Sequence, residues 1–259
     1  MRRDAVELER FYHSPRGETA EAMIWRRISV LWPDMRDLDV LGLGFAPPLL
    51  DRFGDQPRRS VAFMPGPQGA IIWPGGEAKS RTALGDECRL PFPDALFDRV
   101  VLLHALEEVD SIPAFLREVW RITAPQGRVA LIVPNRSGLW ARGDATPFGH
   151  GRPFSKSQLQ DVLADSAFEA TAWSRALYAP PFTWCCKGAR GEFWEATGEK
   201  LFSRLSGLIL VEAVKRVAAL TPRAARAKEI RIRGLEGAGA RTVSRGGKPA
   251  SRTSRTDNP

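Results

Sequence analysis

The chain has 259 residues, 43% of them hydrophobic and 26% charged, with a formal net charge of +8. It is long enough to bury one large core or two small ones, and too apolar for a disordered chain. The opening MRRDAVELERFYH lacks the apolar region of a signal peptide, no run of about 18 apolar residues offers a membrane span, and Cys88, Cys185 and Cys186 make a poor disulfide framework, so a cytoplasmic protein is expected.

The charge is unevenly placed. Residues 221–259 hold ten Lys/Arg against three acids, a net of +7, which leaves the rest nearly neutral. This tail is rich in Arg, Gly, Ser, Thr and Pro and poor in aliphatics, a composition expected to stay disordered. His13, His104 and His150 lie far apart and suggest no metal site.

In chain order, residues 18–31 have helical spacing, with Ala22, Ile24, Trp25, Ile28 and Leu31 on one apolar face. Residues 38–43 (LDVLGL) read as a first strand, and Pro47 and Pro48 suit the first turn of a helix. A short second strand is expected at 60–63, then Gly/Pro-rich loop at 65–76, and strands at 81–84 and 99–103. Asp110 or Ser111 can cap a helix running to about Thr123, which Pro125–Gly127 ends. Residues 128–133 read as a fifth strand, a helix starts at Ser155, and 168–173 alternate as a sixth strand. Residues 192–205 read as a helix and 207–215 as a seventh strand. Strands alternating with helices imply an α/β fold: a doubly wound, mostly parallel seven-stranded sheet with helices on both faces. The expected organisation is an N-terminal helical cap (1–35), the α/β domain (36–220) and the tail (221–259).

Gly42-Leu43-Gly44-Phe45-Ala46 is a GxGxA turn at the end of the first strand. Small residues there permit close approach to a ligand, at the sheet edge where open α/β folds bind them. A plain strand-to-helix turn would use the same residues, so this stretch alone decides nothing.

The next segments decide more. Gly85-Asp86 followed by Leu90–Phe97 (LPFPDALF), Leu106 after the fourth strand, Glu118 and Arg121 as E-x-x-R, Ala124–Arg128 (APQGR) and Phe154–Phe168 form a series. Together they resemble the class I S-adenosylmethionine (SAM)-dependent methyltransferases of the small-molecule type, over about Val40–Phe168. The resemblance implies SAM as cofactor and a small-molecule acceptor. It implies cofactor contacts from Gly42, Gly44, Ala46, Met64, Asp86, Glu87 and Leu103, with Asp86 receiving the adenine amino group beside a slot formed by Leu90 and Phe92. A turn residue bonding its own backbone is the plainer role for Asp86. His104 directly follows the fourth strand; it is the candidate catalytic base or substrate-orienting group, or else a His filling the helix approach. Glu107 and Glu108 are expected to be a solvated or capping pair, and Glu118 and Arg121 to be structural. The family's N-terminal segment often folds over the cofactor, which makes Tyr12 and Arg16 candidates for the substrate side, or a surface strap. Trp140 and Trp184 are candidates for a flat aromatic pocket on that side.

Two departures stand out. The family's first motif is usually V-L-D-x-G-x-G-x-G, but here the acid is Gly42, only Gly44 survives of the three glycines, and Pro48 is rigid. The acid that closes the family's second strand, and accepts the ribose hydroxyls, is replaced by Met64. Such a carboxylate supplies about 2–4 kcal/mol, or roughly 30- to 1,000-fold in affinity. Gln68 or Glu77 are the candidates to compensate. The leading expectation is a SAM-dependent methyltransferase. The alternatives are a catalytically inactive binding protein on the same fold, and a nucleic-acid or acidic partner held by the tail. A solubilising tail is the plainer reading, because no aromatic residues are interleaved with its arginines.

Overall fold

A computed structural model describes residues 2–76, 79–143, 146–182 and 205–216. The expected helix at 192–205, Glu77, Trp184 and the tail lie outside the described residues, apart from Leu205.

The N-terminus forms two helices where only the second was expected. α1 (Ala5–Tyr12) starts at Asp4, whose side chain accepts from Val6 N. α2 (Pro15–Leu31) starts at Ser14, with Pro15 in the first turn. Both starts follow ordinary capping chemistry, since the cap oxygen satisfies an N–H that the helix leaves unpaired. The two helices meet at Gly17, where a Cβ would stand 2.5 Å from Tyr12 Cα.

Next come β1 (Asp39–Gly44), α3 (Pro47–Phe53), β2 (Arg59–Pro65), β3 (Thr82–Gly85), β4 (Phe97–Leu103), α4 (Ile112–Ile122), β5 (Thr123–Pro134), α5 (Lys156–Asp165), β6 (Phe168–Ala176) and β7 (Leu208–Lys215). The sheet order is β3-β2-β1-β4-β5-β7-β6. The first five strands are parallel, whereas β7 runs antiparallel between β5 and β6. β5 begins earlier than expected: Thr123 already pairs with Phe97, and the register shifts before Arg99 meets Arg128. The chain order reverses between β1 and β4, and the crevice beyond their C-terminal ends is where such sheets bind ligands.

Side chains alternate across the sheet and divide the core in two. Val40, Met64, Val101 and Ile132 face α1, α2 and α3. Leu41, Val100, Leu102 and Leu131 face α4 and α5. Glu212 on β7 is buried and pins the two halves of the first layer. It accepts from Trp32 Nε1 at 2.8 Å, Arg128 at 2.9 Å and Thr171 Oγ1 at 2.6 Å. Ser155 and Gln158 form a reciprocal capping box at the start of α5.

Candidate cofactor and substrate site

The site is built from the ends of β1, β2, β3 and β4. β1 ends in the Gly42–Ala46 turn. Gly44 has φ +79°, and a Cβ there would lie against the Leu103 carbonyl and 2.6 Å from His104 O, so only glycine fits. A Cβ on Gly42 would meet Ala46 Cβ at 2.6 Å and Leu50 Cδ1 at 3.0 Å. Phe45 N donates to Leu103 O at 2.8 Å and closes the turn on β4.

β4 delivers His104. Its backbone is left-handed, φ +50°, a conformation a residue with a side chain holds only when its surroundings impose it. The ring is fully buried and its Nε2 shares a hydrogen bond of 2.9 Å with the Tyr12 hydroxyl. Nδ1 stands 3.7 Å from Glu107 Oε1, too far for a hydrogen bond. Gln68, just beyond β2, donates to His104 O at 3.3 Å. Burial drives the His104 pKa down to about 3, so the imidazole is neutral at pH 7. The same burial pushes the Glu107 carboxyl up to about 8 and raises the Tyr12 phenol above its ordinary value.

Glu107 and Glu108 are therefore not a solvated pair. Glu107 is buried and Glu108 half-buried, its side chain turned in against Arg2, because the turn after β4 bends inward beneath the N-terminus. Glu107 Oε2 accepts from Ala105 N at 3.2 Å, which retains part of the expected capping role. Gln68 Oε1, His104 Nδ1 and Glu107 Oε1 are buried here without a hydrogen-bond partner, as are the two Glu108 carboxyl oxygens, which face Arg2. Each such orphan costs about 1–3 kcal/mol, and two of them, His104 Nδ1 and Glu107 Oε1, face each other at 3.7 Å.

α1 lies over these groups. Arg2, ahead of it, makes two hydrogen bonds to Glu87, at 3.1 and 2.8 Å, and stands 3.3 Å from Glu108. Tyr12, at its end, stacks on Phe45 with centroids 5.8 Å apart and planes 16° apart. Phe148 covers the His104 ring from the other side, 4.7 Å away.

The structure thus gathers Tyr12, Gly44, Ala46, Met64, Leu103 and His104 beneath α1 and separates the other candidates from them. Met64 is fully buried with Tyr12 and Phe45, and β2 itself carries no carboxylate. Asp86 is exposed and accepts from Cys88 N at 2.8 Å, the turn contact that its position after Gly85 allows. Leu90 and Phe92 leave no open slot between them. Phe92 packs edge-on against Phe63 and Phe97, at 5.9 and 5.1 Å, because Glu118 and Arg121 tie its segment down. Glu118 accepts from Leu90 N, and Arg121 donates to Leu90 O and Phe92 O. Arg16 lines a cavity of about 310 Å³ with Arg3, Arg10 and Thr146. Trp140 is no pocket wall: it is buried, donates to Ala179 O at 2.7 Å and packs on Phe148. Phe45, Phe148 and the buried state of Glu107 were not legible as site features, since an apolar ring or a Glu-Glu pair carries no local signal of what folds over it. Among the described residues no cluster is suited to a metal ion.

A sequence model described as a methyltransferase domain matches residues 70–131, which carry β3, β4, His104, Glu107 and most of β5. A SAM-dependent methyltransferase of Thermotoga maritima shares the fold, with a TM-score of 0.53 over 81% of this chain and 95% of that one at 16% identity. The chain has the fold of the SAM-dependent methyltransferases, and its central segment is similar to a methyltransferase domain. An uncharacterized protein of Mycobacterium tuberculosis is 27% identical over 190 residues, or 69% of this chain. The alignment spans only 63% of that relative's length. The 2-phytyl-1,4-naphtoquinone methyltransferase of Synechococcus elongatus is 30% identical over 138 residues, 44% of this chain and 53% of that enzyme. The matched segment begins after both departures, the first-motif turn and Met64. Among the described residues no helix is long and apolar enough to cross a membrane.

Proposed function

We propose that the protein is a SAM-dependent methyltransferase acting on a small-molecule acceptor. The observation that carries the proposal is the convergence, at the β1/β4 switch point, of a glycine turn, a neutral His104 in a left-handed backbone and orphaned polar atoms on Gln68, His104 and Glu107. The residues fit the cofactor once α1 is off the crevice. Gly42, Gly44 and Ala46 offer close backbone approach beside Leu103, while Gln68 offers an amide near Met64, where the usual acid is missing. Asp86 and Glu87 stand at the β3 end for the adenine side. Bound SAM supplies an electrophilic methyl group on a sulfonium.

The chain's own residues hold the acceptor and its proton. His104 Nε2, released from Tyr12, accepts a proton from the acceptor's hydroxyl or amine. Glu107, protonated while α1 buries it, ionises once that helix is off the crevice and then stabilises the resulting imidazolium from beside Nδ1. Phe45 and Phe148 exclude water from that exchange. A quinone-like aromatic acceptor agrees with these rings and with the naphthoquinone enzyme of Synechococcus elongatus.

Calorimetric titration with S-adenosylhomocysteine tests this. Micromolar binding that Asp86→Ala weakens about tenfold supports it, since the control removes one charge-assisted contact. Absence of binding at millimolar ligand refutes it.

A second reading, a binding protein that keeps the fold without the reaction, is favoured by one observation: Met64 is fully buried where the ribose acid belongs. It predicts no binding of SAM or S-adenosylhomocysteine. A role for the 221–259 tail in holding nucleic acid or an acidic partner is a separate proposal, resting on its ten Lys/Arg. Residues 1–218 form one compact unit, so removing 221–259 tests it: nucleic-acid binding that survives the deletion refutes that role.

A further inference from the structure

We infer that α1, with Arg2 ahead of it, is an intrachain occupant of the cofactor crevice, an autoinhibitory segment that must leave before SAM binds. The inference rests on the methyltransferase reading above.

Four contacts trace the segment across the strand ends. Arg2 makes two hydrogen bonds to Glu87, two residues beyond β3. A Cβ placed on Gly69, beyond β2, would stand 3.4 Å from the Asp4 carboxylate. Tyr12 stacks on Phe45, beyond β1, and bonds His104, beyond β4. The segment therefore passes over all four strand ends that form the crevice. Leu8 is fully buried between these anchor points.

The space left over is small. α1 and its leading residues form a wall of each of three cavities. One, of about 310 Å³, is lined by Arg2, Glu107, Glu108 and Arg152. The second, of about 310 Å³, holds Arg3, Glu7, Arg10 and Phe11. The third, of about 240 Å³, holds Glu9, Tyr12 and His13 against Phe45 and Trp73. Sites for small molecules enclose roughly 300–1,000 Å³. Each cleft stands at or below the low end of that range, and none reaches from Glu87 to Gly44. A ligand lying along the strand ends meets Tyr12 on Phe45 and His104, and Arg2 on Glu87, while α1 is in place.

The occupant also fits poorly, which is what makes it displaceable. It satisfies His104 Nε2 but leaves Gln68 Oε1, His104 Nδ1 and Glu107 Oε1 without partners. It is short, eight residues, and joined to α2 through His13 and Ser14, the only residues between the two helices. Isolated helices of this length have little stability of their own, so α1 holds its place through its contacts. A ligand bringing hydroxyl and amine groups to the orphans competes directly with those contacts.

Apparent affinity then equals the intrinsic affinity multiplied by the open fraction. Arg2→Ala removes the two Glu87 hydrogen bonds and raises that fraction, so S-adenosylhomocysteine should bind about tenfold tighter to the variant. Where Arg2→Ala fails to fold, Tyr12→Phe, which deletes only the hydroxyl on His104, serves instead. A residue that merely supported the site would weaken binding when removed.

The decisive readout is hydrogen exchange of the α1 amides in the full-length chain, with and without saturating S-adenosylhomocysteine. Faster exchange across residues 8–12 in the bound state is the expected result. Binding with α1 protection unchanged or increased overturns the autoinhibition and leaves the methyltransferase reading standing. Absence of binding to both the native chain and the folded variant overturns the methyltransferase reading, and the autoinhibition with it.

Discussion

Replacing Glu107 with Gln tests whether a protonated carboxyl lies beneath the N-terminal helix. In the folded chain this group titrates at about 8, against an ordinary 4.5, chiefly because it is buried. Between those values the native state holds a proton that the unfolded chain has released. Stability must then fall as pH rises through that window, by about 1.4 kcal/mol per pH unit. His104 acts in the opposite sense. Its folded pKa of about 3 lies below the ordinary 6.5, so between these values the unfolded chain binds the extra proton and stability rises with pH. The two slopes cancel where the windows overlap, from pH 4.5 to 6.5. Above 6.5 the Glu107 slope is the one of these two that remains, and it takes about 2 kcal/mol from the native protein between pH 6.5 and 8. Glu107→Gln keeps an oxygen for Ala105 N but cannot titrate. The assay is urea unfolding followed by tryptophan fluorescence at intervals from pH 5 to 8.5. The difference between native protein and variant isolates the carboxyl from every other group. A difference that stays constant across pH 6.5–8 refutes the buried, protonated state.

Glu212→Ala should destabilise the fold by about 3–5 kcal/mol, since it leaves Arg128 and the Trp32 N–H without their buried partner; thermal unfolding measures this, and a shift of a degree or less would contradict it. Gly44→Ala should cost at least about 2 kcal/mol, because the added Cβ meets the Leu103 and His104 carbonyls at a positive φ; unchanged unfolding in urea would show that the turn relaxes instead. Arg121→Ala should free the Leu90–Asp94 segment and raise proteolytic cleavage there, with a stability loss of about 1–3 kcal/mol; a cleavage pattern identical to the native protein's would refute the tether. Ser155→Ala should cost about 0.5–2 kcal/mol through loss of the α5 capping box, read by chemical denaturation.

Much of the fold was legible along the chain because its determinants are local. LDVLGL and RVVLL are apolar on both faces, as strands covered on two sides must be. Pro47-Pro48, Ser111 and Ser155 mark helix starts through backbone chemistry that acts within a turn. The missing piece was α1. Asp4 and Ser14 carry cap signals of the same kind, yet an eight-residue helix earns little attention from periodicity alone. The antiparallel place of β7 between β5 and β6 had no local sign either, since pairing partners lie far apart in the chain.

The site divides in the same way. Sequence by itself determined which residues stand at the strand ends, because a strand fixes where its last residue lies: Gly44 at the end of β1, Met64 in β2, His104 after β4. It also determined that Glu118 and Arg121, one turn apart, would pair. Tertiary structure alone decided what covers them. Burial of Glu107, the Tyr12–His104 hydrogen bond and the hold of Arg2 on Glu87 join residues as many as 92 positions apart. Their protonation follows from desolvation by a helix that no local pattern at β4 announces. A side chain's identity is written in the sequence, but the dielectric around it is set by whatever the rest of the chain places above it.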